Sequence, residues 1–351
     1  MDIKKDFAIK LFKKSPLKQR KFNVIKKLLP NYNDKECLDI GSDNGVISYL
    51  LRKNGGKWCS ADLVPETVKL IKELVNDNVF EVNDKNPFPF EDKKFDIVVI
   101  VDFLEHVNND KFVINEINRI LKDNGELIIN VPNPINGLIR FLKFKTGYTD
   151  AAHGHVRAGY NLNEIKELTK DSFSVTEYKK YGRCFSDFVD FLIIFALRKL
   201  QGNKDTKKGT VVGSNDINKY KKSFKIFSLI YPFLKFVVFL DSIFFFLPTN
   251  MLTVKLKKKW LIISPPTKCK CRTHQRDIIS SSIYHLLILN KSKYRWQTPL
   301  EIGLRLNKFY KATTKQNVFA AIYFAMIYFL ASASYIFIIL FLLFKKIFNL
   351  A

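Results

Sequence analysis

Apolar and polar positions in the first half of the chain follow the rhythm of strands alternating with helices. Residues 20–29 read as a short helix ahead of the first strand. A strand over 36–40 ends in Asp39-Ile40-Gly41, and a helix follows over 46–53. A second strand, 57–61, closes on Asp62. Residues 65–75 form a helix with Pro65 in its first turn, where the missing N–H costs nothing. A third, short strand covers 79–82. The run FDIVVIV at 95–101 is apolar throughout, as a central strand covered on both faces must be. Residues 111–121 are helical, closed by Asp123-Asn124-Gly125, and ELIINV at 126–131 is the next strand.

After Pro132 the rhythm loosens. Residues 162–170 read as a helix, 173–179 as a strand, and MLTVK at 251–255 as one more strand. The pattern predicts an α/β fold: a doubly wound, Rossmann-like sheet of seven strands, mostly parallel. An apolar helical insert at 188–248 interrupts it. Within the insert, 188–200 is an apolar helix, 201–223 a polar, Lys-rich loop, and 226–248 an apolar stretch broken by Pro232, Lys235, Asp241 and Pro248. Residues 318–344 hold no charged side chain and exceed the roughly 20 residues that span a bilayer. The expected organisation is a basic N-terminal segment at 1–19, a domain at 20–260 containing the insert, a basic linker of no assigned role at 261–317, and a transmembrane helix at 318–344.

Charge sharpens this picture. The net charge is +25. From Lys268 onward, thirteen Lys or Arg face two acids, Asp277 and Glu301, and the cations border the long apolar stretches. That distribution favours membrane lipids as the polyanionic partner over nucleic acid. The basic flank before residue 318 predicts that the domain faces the cytoplasm. Five Cys are spread thinly, and Cys269 and Cys271 stand too close for a zinc knuckle, so no metal site is predicted.

Candidate chemistry lies at strand ends. Asp39-Ile40-Gly41-Ser42-Asp43-Asn44-Gly45 joins a strand to a helix. Gly41 and Gly45 can adopt backbone conformations denied to other residues, and the following helix offers free N–H groups to a ligand. The spacing is not G-x-G-x-x-G, which disfavours a pyrophosphate cradle. Asp62 can accept both hydroxyls of a ribose. Asp84, ahead of Pro87-Phe88-Pro89-Phe90, can accept from an adenine amino group.

These segments resemble class I S-adenosylmethionine-dependent methyltransferases, of the type-11 or ubiquinone-methyltransferase-like group. The pieces that carry the likeness are LDIGSDNG (38–45), SADLVPETV (60–68), 84–90, FDIVVIVDFLEHV (95–107), INRILKDNGELIINVPNP (117–134) and GHVRAGYNLNEIKEL (154–168). The resemblance implies S-adenosylmethionine as cofactor. Asp39, Gly41 and Gly45 would shape its methionine pocket, Asp62 hold the ribose, Asp84 meet the adenine, and Asp102 lie over it. Asp43 replaces the family's middle glycine; its carboxylate could meet the cofactor's ammonium or weaken binding.

Methyl transfer to a hydroxyl gains from a general base. His153 and His155 fall in the segment that faces the acceptor in similar enzymes. His155 is expected as base or acceptor ligand, with Arg157 pairing a phosphate or carboxylate. His106 is expected to hold a loop. Val101-Asp102-Phe103-Leu104 lacks the motif of DNA amino-methylating enzymes, which sets DNA aside, and RNA is disfavoured as a partner. The apolar insert implies a hydrophobic or lipid-linked acceptor: a glycan, a glycolipid or a quinone precursor. Two other readings stand beside this one, a non-catalytic membrane adaptor on a methyltransferase-like fold and an RNA methyltransferase.

Overall fold

A computed structural model describes residues 3–134, 138–147, 149–151, 154–201 and 217–259. In chain order the elements are α1 (Ile3–Lys13), α2 (Pro16–Leu28), β1 (Glu36–Ile40), α3 (Val46–Lys53), β2 (Lys57–Asp62), α4 (Pro65–Val75) and β3 (Val79–Glu81). Then come β4 (Phe95–Val101), a 3-10 turn (Leu104–His106), α5 (Asp110–Ile120), β5 (Leu121–Pro132), α6 (Leu138–Lys145) and α7 (Leu162–Thr169). The described chain closes with β6 (Phe173–Tyr181), α8 (Cys184–Gln201), α9 (Ile217–Ile243) and β7 (Met251–Lys258).

The seven strands form one sheet in the order β3-β2-β1-β4-β5-β7-β6. The first five strands pair parallel, and β7 runs antiparallel between β5 and β6. The direction of chain growth reverses at β1/β4, where the carboxyl ends of open α/β sheets leave room for a ligand. Strand β4 shows why the sheet is double-faced. Val98 and Ile100 pack with α5 residues Val113, Ile114 and Ile117, while Ile97, Val99 and Val101 pack with α2 and α3 residues Phe22, Ile25 and Leu51. Alternate side chains of one strand thus serve two cores.

The N-terminal segment belongs to the same body. Helix α2 starts with Ser15 accepting from the Lys18 amide and Pro16 at its first position, a strong start signal. Phe12 meets Phe22 edge to face at 6.1 Å, and Ala8 joins the cluster of Val46, Val68 and Ile71. The Lys-rich stretch ends earlier than its composition suggests, since α9 begins at Ile217. Helix α9 also runs through Pro232 without a break. A mid-helix proline costs about 3 kcal/mol. Here the burial of Leu234, Val237 and Val238 opposes that cost, as does Asp241, whose carboxylate accepts from Arg20 Nη1 at 2.7 Å and the Arg183 amide at 2.9 Å. Among the described residues no helix is long and apolar enough to cross a membrane. The segments 261–317 and 318–344 lie outside the described residues.

Candidate functional site

The turn after β1 is held from below by a buried carboxylate. Asp39 is fully buried and accepts from Ser42 Oγ and Ser48 Oγ, both at 2.6 Å, and from Ser60 Oγ at 2.9 Å. Arg52, one helical turn beyond Ser48, reaches Ser60 Oγ at 2.8 Å and the Trp58 carbonyl at 2.9 Å, with its cation 3.5 Å from Asp39. Burial raises the Asp39 carboxyl above its ordinary range, a rise that Arg52 and the three hydroxyls offset only in part. Asp39 thereby braces the turn from within.

Above it, Gly41 (φ +85°) donates its N–H to the Ala61 carbonyl at 3.0 Å and passes so close to β4 that a Cβ would stand 2.2 Å from the Val101 carbonyl oxygen. Gly45 (φ +78°) lets the start of α3 lie against α4, where a Cβ would meet Ile71 Cα at 2.9 Å. Asp43 adopts φ +57°, the left-handed conformation that a glycine would take, and its exposed carboxylate faces Lys18 Nζ at 3.5 Å. No side chain caps the α3 N-terminus.

Asp62 and Asp102 flank this turn on the neighbouring strands. Asp62, at the end of β2, is fully buried, and its Oδ1 accepts from Thr67 Oγ1 at 2.8 Å. Asp102, just past β4, takes φ +45°, a strained value for a non-glycine residue. Two partners hold it there: Lys21 of α2 and Asn130 Nδ2, the latter at 2.9 Å. Asn130 Oδ1 in turn accepts from Tyr181 OH at 2.7 Å and Thr253 Oγ1 at 2.8 Å. Burial alone would depress the Lys21 ammonium, but the Asp102 carboxylate beside it, with Glu105 further off, holds it above its usual value. Burial pushes the Tyr181 phenol up, which keeps it a neutral donor. Sequence reasoning missed Lys21 and Asn130. The second had a signal: one amide inside the apolar run ELIINV must find buried partners.

Asp84 sits beyond β3. Its Oδ2 accepts from the amides of Asn108 (2.7 Å) and Asn109 (2.9 Å), and these bonds hold its carboxyl below the ordinary range. It thereby ties the loop after β3 to the loop before α5.

The segment before α7 folds back over the 3-10 turn. The Val156 amide donates to the Glu105 carbonyl at 2.8 Å, His106 Nδ1 lies 3.1 Å from the Gly154 carbonyl, and the His106 and His155 rings meet edge to face at 4.7 Å. Glu105, His106 and His155 each bring one ligand atom within 4.8 Å of the others. Two imidazoles and a carboxylate form a donor set of the kind divalent transition metals take, and linear spacing did not reveal it. Burial lowers the His155 pKa below its ordinary 6.5, which keeps the ring neutral. Arg157, expected beside the acceptor, instead has its guanidinium engaged by Asp110, Tyr160 OH (2.8 Å) and the carbonyls of Val107 (3.0 Å) and Asn108 (3.2 Å). It locks this loop. His153 lies outside the described residues.

Residues 38–129 match the family model described as methyltransferase domain. A ubiquinone biosynthesis O-methyltransferase of Pelagibacter ubique is 30% identical over 121 residues, covering 32% of this chain and 50% of that protein. An uncharacterised protein of Methanocaldococcus jannaschii is 33% identical over 116 residues, covering 32% and 48%. The chain thus spans about half the length of the curated relatives it matches. Among solved structures, the phosphoethanolamine N-methyltransferase 2 of Haemonchus contortus with S-adenosyl-L-methionine aligns over 69% of this chain and 53% of that one, at 18% identity and a TM-score of 0.43.

Proposed function

We propose, from the premise that residues 38–129 are a methyltransferase domain, that this protein moves a methyl group from S-adenosylmethionine to a hydroxyl of a hydrophobic or lipid-linked acceptor. One observation carries the reading. Asp62, the Gly41–Gly45 turn and Asp102 come from three adjacent parallel strands and share one carboxyl edge. Asp62 is suited to the ribose hydroxyls. The amino-acid end of the donor is a zwitterion, and the turn offers both signs of charge: Asp43 and Asp102 toward its ammonium, Lys18 and Lys21 toward its carboxylate. In this reading Asp43 does not block the site. It takes the glycine conformation and adds a charge of the useful sign.

The donor supplies a methyl on a sulfonium, and the protein's part is alignment and proton removal. The acceptor oxygen bonds to the methyl carbon as the carbon–sulfur bond breaks, S-adenosylhomocysteine departs, and the hydroxyl proton passes to neutral His155. Glu105, His106 and His155 are the residues that would hold a divalent ion, which when bound would supply Lewis-acid chemistry to an acceptor hydroxyl. Asp84 supports the loops around the adenine end by its bonds to Asn108 and Asn109.

Calorimetric titration of the detergent-solubilised full chain with S-adenosylmethionine and S-adenosylhomocysteine tests the donor. Saturable heat that weakens in Asp62→Asn is expected, and no heat with either compound would leave the adaptor reading standing. Incubation with labelled methyl donor and host lipid extract then tests the acceptor, where label in the organic phase is expected. Loss of that label on chelation, restored by added metal, would select the metal-assisted form.

A further inference from the structure

Helix α9 has two unlike faces. Toward the body it buries Leu234, Val237, Val238 and Asp241, and Phe224 and Tyr231 meet Phe7 and Gln19 of the N-terminal helices. On the opposite face Leu229, Phe236 and Ile243 repeat at seven-residue spacing with Phe239 between them, all exposed, Leu229 at 82%. The stripe continues into the following turn at Phe245, 73% exposed, and Phe246. From residue 229 to 243 it runs about 21 Å along the helix. A continuous apolar stripe of this length on a folded surface marks a docking site.

We infer that this face lies in the surface of an anionic lipid bilayer, with α9 parallel to the membrane plane and the Phe245–Phe246 turn inserted. Three observations select that occupant. First, α9 is built to lie on a bilayer and not to cross it: it is 27 residues long yet fails as a span, and its one acid, Asp241, is fully buried against Arg20 on the inner side. Second, among the described residues cations lie beside the stripe. Lys225 and Lys235 are exposed on α9, and Lys14 sits 5.1 Å above the Tyr231 ring at its edge. Lysines around exposed phenylalanines suit acyl chains beneath phosphate headgroups. Third, the same chain carries the charge-free segment 318–344, long enough in sequence to reach through a bilayer, and a chain anchored by it would hold the domain at a membrane. A second attachment point then needs only weak affinity, because tethering raises its effective concentration.

The inference does not rest on the methyl-transfer reading, and its test uses no methyl donor. The photoreactive variants Phe236→p-benzoylphenylalanine and Phe246→p-benzoylphenylalanine keep an aromatic ring at each position. Each would be placed in the full chain, reconstituted in phosphatidylcholine–phosphatidylglycerol vesicles and irradiated. Tyr178→p-benzoylphenylalanine, an exposed aromatic position on β6, is the reference. The expected result is lipid adduct at 236 and 246 on the order of tenfold above 178, falling several-fold in phosphatidylcholine alone. Adducts to peptides of 260–351 would assign the stripe to the chain's own tail, and adducts to a second copy would assign it to self-association. Either result overturns the inference, as do equal yields at all three positions or in both vesicle types.

Discussion

Replacing Gly41 by alanine separates two costs that the structure assigns to this position. The first is conformational: at φ +85° an L-residue pays about 1–2 kcal/mol. The second is collision. The new Cβ would stand 2.2 Å from the Val101 carbonyl oxygen and 3.0 Å from Phe103 Cβ, and the first of these is main chain of the central strand, which cannot swing away. Forcing a methyl into such a contact adds about 1–3 kcal/mol. Gly55→Ala is the matched control. It also has positive φ (+109°), but its Cβ would meet the Asn33 Oδ1 at 2.4 Å, the movable end of a side chain. Gly41→Ala should therefore lose about 2–5 kcal/mol, a melting-point drop of roughly 5–15 °C, and Gly55→Ala only about 1–2 kcal/mol, roughly 2–8 °C. Because the Gly41 turn sits between Asp62 and Asp102, calorimetry should also show donor affinity down by about tenfold or more in Gly41→Ala and unchanged in Gly55→Ala. Equal melting shifts in the two variants would refute the argument from close approach.

Four other outcomes follow. Arg52→Met strips the cation from the buried Asp39 network and should cost about 3 kcal/mol in urea unfolding, since a buried carboxylate loses its partner. Asp84→Asn should destabilise the fold near neutral pH and match wild type in strong acid. The Asp84 pKa is depressed, so its contribution is complete above the unfolded value near 3.9 and fades as pH falls through the folded one, which a pH series of melts reads out. His155→Gln should cut methyl transfer about 10²–10⁴-fold with donor affinity intact, and the wild-type rate should hold down to pH values below 6.5, because burial lowers the imidazole pKa. Arg157→Met should lower stability by about 1–3 kcal/mol through the lost bonds to Asp110 and two carbonyls, while calorimetry finds donor affinity within about twofold of wild type.

Much of the fold was legible because its signals are local. The strand 95–101 and the helices 46–53 and 65–75 match the structure at both ends, each fixed by an apolar run or by Pro and Gly at its limits. Boundaries slipped where a local rule met a tertiary one. Asp123-Asn124-Gly125 reads as a helix stop, yet it lies inside β5, at the register shift between Phe95 and Ile97 of β4. Pro232 reads as a break, and packing carries α9 through it. At the site, Asp39, Asp62, Gly41 and Gly45 could be placed from strand ends alone. The partners of Asp102 could not be. Lys21 is one lysine among many on a basic helix, and only the docking of α2 over the sheet singles it out. The grouping of His155 with Glu105 was equally hidden, since it joins two loops distant in sequence.

The ion pair between Lys21 and Asp102 makes α2 part of the floor that a ligand would touch. In the proposed reading, a molecule arriving at this edge with its own ammonium and carboxylate would exchange partners with that pair, so that occupancy and the seating of the first two helices would become one equilibrium. A ligand whose carboxylate took Lys21 as its partner would fasten residues 3–28 to the domain, by up to RT ln(1 + [L]/Kd). A chain begun at residue 22 would lose that reciprocity together with the cation, although every acid at the strand ends remained.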